Sequence, residues 1–341
     1  MARHLKHGRS KLIFALLLVI AAAGLGLFWQ STQQFAARPL VLSDQERVLV
    51  VERGDGFSSV LGKIRALGIV QGQDLEWKAL AATMNVAAHL QVGEYAITSG
   101  MSPRELLRRL EKGEVIQRKF TIVEGWNVRE LRAALMAEPL LVHRIDSLSD
   151  AQVMVRLDRD GVFPEGRFLP ETYKYTRGTS DLAILDRAGK AMDKALAEAW
   201  ESRAPDLPLA SPEQLLTLAS IVEKETGKAD ERPQIAGVFV RRLKIGMRLQ
   251  TDPTVIYGMG SSYAGNIRKQ DLQTDTPYNT YTRAGLPPTP IALPGKAALR
   301  AAANPAESGA LYFVARGGGG HHFSADLSEH NAAVRKYQLR R

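Results

Sequence analysis

The 341-residue sequence predicts an α+β protein in three parts: an N-terminal transmembrane helix, a small α/β module and a larger α+β domain. Three observations predict it. An uncharged apolar run starts at Leu12 and continues past Trp29. Short strand-like segments alternate with amphipathic helical periods up to Val115. From Phe120 onward, isolated Pro, Gly and aromatic residues separate longer helical periods.

Arg3, Lys6, Arg9 and Lys11 precede the apolar run. Residues 1–11 are therefore expected in the cytoplasm, residues 12–30 across the bilayer with Trp29 at the far interface, and the remainder outside. Ala21-Ala22-Ala23 would also suit a cleaved signal peptide, but the run continues through Gly24 to Trp29, which favours an anchor. Either reading exports the chain. A polar tether, 31–46, leads to the module at 47–115. There the pattern predicts a strand at Val48–Val51, a turn at Arg53–Gly56 and a helix through Val60, Leu61, Ile64 and Leu67. A second helix is expected at about Leu75–Ala88, a strand at Gly93–Ile97, and a helix from Ser102-Pro103 to Lys112-Gly113. This order resembles a LysM-type peptidoglycan-binding module, with Gly54-Asp55 where such modules carry Gly-Asp. A spacer without a ligand fits the same pattern.

The second domain is placed at 118–341, with helices near 182–202, 212–226, 231–244, 253–257 and 296–303 and strands at 120–123 and 311–315. Its most informative segment is Ser211–Gly227. Ser211 suits the N-cap, Pro212 the first helical position, Gln214 the reciprocal cap and Gly227 the position past the end. Leu215, Leu216, Leu218, Ala219, Ile221 and Val222 cover nearly the whole circumference, so the helix should be enclosed. Glu223 lies in its last turn, where the helix dipole and desolvation both disfavour a carboxylate. A carboxyl that stays protonated near neutrality is a general acid, which makes Glu223 the candidate proton donor; the same segment also fits Glu223 and Glu225 as solvated residues where the helix emerges, pairing with Lys224 and Lys228.

Other clusters surround it in sequence. Phe163–Tyr175 combines aromatic, proline and carboxylate residues, with Tyr173 suited to a sugar ring and Glu165 and Glu171 as second carboxylates should the reaction be hydrolysis. Asp252 reads as the N-cap before Pro253, while Gln250 either bonds a ligand or fixes the turn. Pro277–Gly295 is too proline-rich for a regular element, and stiff loops of this length are commonly functional. Arg316–Phe323 lacks the Lys-Ser or Lys-Thr of a phosphate loop, and adjacent His321 and His322 lack zinc-ligand spacing.

Composition removes further classes. There is no cysteine, hence no disulfide framework, thiolate metal site or cysteine nucleophile. No serine-hydrolase elbow or dinucleotide fingerprint occurs, so serine-hydrolase and oxidoreductase readings lack support and no cofactor is expected; without cysteines, and with His321 and His322 lacking ligand spacing, no metal is expected either. The net charge of +9 falls to +5 once the four basic residues before Leu12 are set aside, and no basic run is interleaved with aromatics. Nucleic acid is therefore not an expected partner.

Together, Ile221-Val-Glu-Lys-Glu-Thr226, Met247–Tyr257, Tyr278-Asn-Thr-Tyr281, Gly285-Leu-Pro-Pro288, Ile291–Gly295 and Gly320-His-His-Phe323 closely resemble the endolytic murein transglycosylases of the YceG-like family. The resemblance implies cleavage of MurNAc-GlcNAc bonds inside nascent glycan strands at the inner membrane, limiting their length, together with peptidoglycan synthases as partners. In the implied chemistry the muramic 6-hydroxyl attacks in place of water, and one glutamate, matched by Glu223, serves as acid and then base. Tyr278, Asn279, Thr280, His321 and Phe323 fall on family motifs and are candidate supporting residues; Arg241 stands where the motif usually has Asn. Glu225 lies about 200° around the helix from Glu223, so the two carboxyls should point apart. Its partner is expected to be Arg242, Thr280 or His321.

Overall fold

Helix α1, His4–Ala37, is 34 residues long, and its stretch Leu12–Ala37 is long and apolar enough to cross a membrane. The computed structural model describes residues 4–42 and 46–339, with side chains from Leu12 onward. Leu12, Phe14, Leu17, Ile20, Leu25 and Trp29 are all more than half exposed, as a lipid-facing surface would be. The helix does not stop at the expected tether. It runs on to Ala37, because Phe35 and Ala36 are buried against the module and Phe35 meets Trp77 edge to face, ring centroids 5.1 Å apart. Gly72, at φ +72°, lies under that ring: a Cβ there would sit 2.2 Å from Phe35 Cε2.

The chain divides into two units, 1–118 with 176–178, and 119–175 with 179–341. In the first, β1 (Arg47–Val51) pairs antiparallel with β2 (Gly93–Ile97), and α2 (Phe57–Ala66), α3 (Asp74–Thr83) and α4 (Pro103–Lys112) complete the packing. Val60, Leu61 and Ile64 face inward from α2, as their spacing requires. Asp55 accepts hydrogen bonds from the Glu52 amide (2.7 Å), the Ser59 hydroxyl (2.6 Å) and Lys63 Nζ (2.6 Å), so this part of the Gly-Asp turn is engaged within the module.

In the second unit, β3 (Arg118–Thr121, its first residue belonging to the first unit) lies beside β4 (Thr172–Tyr175). Helices α5 (Val128–Met136), α6 (Asp150–Arg156) and α7 (Asp181–Glu201) build one core with them. The other core is centred on α8 (Pro212–Glu225), against which α7, α9 (Arg232–Lys244), α10 (Asp252–Met259) and α12 (Lys296–Ala303) pack. Leu215, Leu216, Leu218, Ala219, Ile221 and Val222 are all fully buried, so α8 is enclosed as its composition requires. After the short α11 (Lys269–Gln273), the chain ends in an antiparallel hairpin, β5 (Tyr312–Gly317) and β6 (Gly320–Ser324), covered by α13 (Leu327–Tyr337). Strand β6 and helix α13 lie beyond the sequence reading: β6 has no β-branched residue, and α13 buries only Ala333.

Candidate active site

Helix α8 delivers both glutamates at its end, and the two carboxyls face different surroundings. Ser211 caps the helix, accepting the Gln214 amide at 3.4 Å, while Gln214 reaches back to the Ala210 amide at 2.7 Å. At the other end Thr226 is the extended C-cap, and Gly227 is not left-handed as a glycine stop would be.

The Glu223 side chain is 4% exposed. Its Oε1 accepts from Arg232 Nη2 at 3.2 Å and its Oε2 from the Gly295 amide at 2.9 Å. One turn earlier, the Ser220 hydroxyl accepts the Ile291 amide at 3.0 Å, so the stretch 291–295 is pinned along α8 at two points. Burial raises the Glu223 pKa, with the Gly295 amide and Arg232 opposing it and Glu124 adding to it. Glu124 lies close because the Gly125 N–H donates to the Leu293 carbonyl at 3.0 Å and the Leu293 N–H to the Trp126 carbonyl at 2.6 Å; a Cβ on Gly295 would stand 1.9 Å from Glu124 Oε1.

Glu225 opens instead onto a cleft of about 570 Å³ lined by Arg242, Gln250, Asp252, Tyr281, Tyr312, His321 and residues of α13. The Thr251 hydroxyl donates a short hydrogen bond to its Oε1. Burial raises its pKa and Asp252 adds to this, while Thr251, His321 and Arg242 work in the opposite direction. Thr251 is held in turn: its amide donates to Thr280 Oγ1 at 3.1 Å, and Thr280 Oγ1 lies 2.9 Å from Thr254 Oγ1. The partner of Glu225 is thus Thr251, outside the three expected, and Thr280 acts one layer behind it.

Hydrogen bonds and ring contacts tie the cleft walls together. Arg242, nearly buried, donates Nε to the Leu311 carbonyl (2.7 Å) and Nη1 to that of Leu249 (2.7 Å), and its guanidinium lies 5.2 Å from the Tyr312 ring centroid. The other side of the wall is His330, stacked on Tyr312 with centroids 5.1 Å apart. Gln250, left-handed at φ +51° and exposed, donates its backbone N–H to the Thr280 carbonyl at 3.2 Å, so the main chain holds the turn, and the residue lines the cleft. Asp252 is not the cap: α10 begins with it, Thr251 occupies the N-cap, and the Asp252 carboxylate accepts from the Tyr281 hydroxyl at 2.6 Å.

Of the residues singled out from the sequence, Glu225, Arg242, Gln250 and His321 meet in this cleft. The others are placed elsewhere. Tyr173 is a core residue whose hydroxyl bonds the Leu169 carbonyl at 2.7 Å, so its ring is not a sugar platform. Asn279 is buried, its amide feeding the carbonyls of Asp271, Leu272 and Thr274. Tyr278 bonds Thr289 at 2.8 Å, and Phe323 packs on Phe313. Glu171 pairs with Lys296. The sequence reading passed over Thr251, Tyr281, Tyr312 and His330; of these, Thr251 and Tyr281 carried a signal, lying in the Met247–Tyr257 and Tyr278-Asn-Thr-Tyr281 motifs.

Glu165 lines a separate pocket of about 230 Å³, where it accepts the Val128 amide at the start of α5 (3.1 Å) and the Tyr257 hydroxyl (3.1 Å). Burial pushes it up to about 7 from an ordinary 4.5. The native state therefore holds this proton over a range where the unfolded chain releases it, and stability falls as pH rises from about 4.5 to about 7. Glu165→Gln is expected to remove that slope, worth up to about 3 kcal/mol. Thermal unfolding at pH 5 and pH 7.5 would check it: the wild type should lose more stability between the two than the variant.

Residues 49–336 match the model of the YceG-like family. An endolytic murein transglycosylase of Bacillus subtilis is 32% identical over 270 residues, 74% of each chain. One from Streptococcus pneumoniae is 28% identical over 336 residues, covering 89% of this chain and 60% of its own length. A crystal structure of a yceG-like protein from Listeria monocytogenes superposes with a TM-score of 0.53 at 28% identity, covering 85% of this chain and 99% of that one.

Proposed function

Because the chain belongs to the YceG-like family, we propose that it is a membrane-anchored endolytic murein transglycosylase, cutting MurNAc-GlcNAc bonds inside nascent peptidoglycan strands and leaving 1,6-anhydro-MurNAc ends. The single observation that carries the chemistry is the position of Glu225 on the wall of the 570 Å³ cleft. On this reading Glu225, in place of the expected Glu223, is the acid. Burial raises its pKa and so favours the protonated form that a donor needs; on this reading Glu225 gives its proton to the GlcNAc O4 as the bond from MurNAc C1 breaks. The muramic O6 then bonds C1, and its proton returns to the Glu225 carboxylate. No water is consumed and the carboxyl ends as it began.

Glu223 serves the same site as a strut. With one oxygen on Arg232 and the other on the Gly295 amide, it holds the proline-rich loop against α8. Two further parts of the reading follow from the anchor: the basic N-terminus stays in the cytoplasm, and the rest works in the periplasm, where new strands emerge beside their synthases. The first unit either binds glycan as a LysM-like module or sets the distance from the membrane; the internal use of Asp55 favours the spacer.

Mass spectrometry of products from uncrosslinked glycan strands, treated with the full chain in detergent, tests this. Anhydro ends are expected. Reducing ends would mean a water-using muramidase, with Asp252 in the same cleft as the second carboxylate, and absence of cleavage would favour a wall-binding adaptor.

A further inference from the structure

The tip of the β5–β6 hairpin is built to hold one imidazole in a fixed attitude. Gly317, Gly318 and Gly319 all have positive φ, a turn that side chains would strain. Gly320 follows, and a Cβ there would lie 3.1 Å from Glu231 Oε1, so the strand comes close to the start of α9. Glu231 is 4% exposed and grips His321 twice: Oε1 accepts its backbone amide at 3.0 Å, and Oε2 lies 2.8 Å from Nδ1. Phe313 closes the edge of the ring at 5.3 Å. A buried carboxylate on Nδ1 fixes the tautomer in which Nδ1 carries the proton, which leaves Nε2 as the nitrogen available to a ligand. His321 lines the same cleft as Glu225, whereas His322, on the opposite face of the strand, lies 3.9 Å from Glu329.

We propose that His321, oriented by Glu231, is a positioning residue that hydrogen-bonds the attacking 6-hydroxyl of the muramic residue through Nε2. This deepens the transglycosylase reading and rests on it. An intramolecular attack succeeds only if the 6-hydroxyl lies in line with C1 when the glycosidic bond opens; a hydroxyl left free to rotate yields the carbon to water. While Glu225 is protonated the single O6 proton points to Nε2; once Glu225 has given its own proton to the leaving O4, the hydroxyl turns that proton to the new carboxylate as O6 bonds C1, so His321 changes which oxygen reaches C1 and leaves the acid step intact.

The test uses the full chain in detergent with uncrosslinked strands, and reads both rate and product ends. His321→Ala and Glu231→Gln are expected to lower kcat by about 10- to 100-fold with KM changed less than threefold, and to produce reducing ends beside anhydro ends. Added imidazole should restore rate and anhydro ends to His321→Ala but leave Glu225→Gln inactive. The inference is overturned if either variant makes anhydro ends alone, whether at wild-type rate or slowed without rescue, since the latter would mean that the imidazole only packs. A wild type that yields no anhydro ends would instead remove the transglycosylase reading, whatever the variants do.

Discussion

Glu225→Gln is expected to reduce glycan cleavage by about 10²- to 10⁴-fold while leaving the fold in place, and Glu223→Gln to keep at least a tenth of wild-type activity at lower stability. The two substitutions are chemically identical and two residues apart, so the contrast isolates surroundings from sequence. At 225 the amide can still accept the Thr251 hydroxyl bond but has no proton to give to a leaving oxygen at the cleft. At 223 the amide oxygen can still accept the Gly295 N–H, and what disappears is the charge opposite Arg232, for which Glu124 at 3.5 Å remains a second partner. That loss should cost about 1–3 kcal/mol and lower the unfolding temperature by several degrees. Product analysis and thermal unfolding of both variants decide it. Inactivity confined to Glu223→Gln would return the acid to that residue.

Phe239→Ala should be among the most damaging of the core truncations, at about 3–5 kcal/mol and an unfolding temperature about 10 °C lower. Phe239 is fully buried on α9, between α8 and the hairpin, and meets Phe313 edge to face with centroids 5.8 Å apart. Phe313 lines the cleft and backs His321. Removing the ring leaves a cavity behind the cleft wall, so activity should fall at temperatures where the protein is still folded. Phe239→Leu, which refills most of the space, should recover the greater part of both. A Phe239→Ala protein with unchanged unfolding would mean that this contact does not hold the hairpin.

Much of the fold was legible because local physics wrote it. The cap and the all-round apolar surface of Ser211–Val222 define an enclosed helix without reference to anything outside it, and the charge-free run after Lys11 defines a membrane-length helix in the same way. The roughly 200° between positions 223 and 225 also followed from helix geometry alone: one carboxyl reaches Arg232 and the other Thr251.

Which of those two directions holds a cleft could not be read there. Both glutamates share the helix end, and burial raises both, so neither dipole nor desolvation separates them. The difference comes from segments 26 to 96 residues further on: Thr251, Tyr281 and His321 gather around one carboxyl, while the loop ending at Gly295 closes over the other. Likewise Asn279 and Tyr173 have the residue types of a sugar site and are spent inside the protein, on carbonyls that only the folded loops bring within reach. Sequence by itself determined the membrane-length helix, the enclosed helix and the pair of acids, because caps and periodicity act over a few residues. The tertiary structure alone decided which acid faces a cavity, because a cavity is made where distant segments fail to fill space.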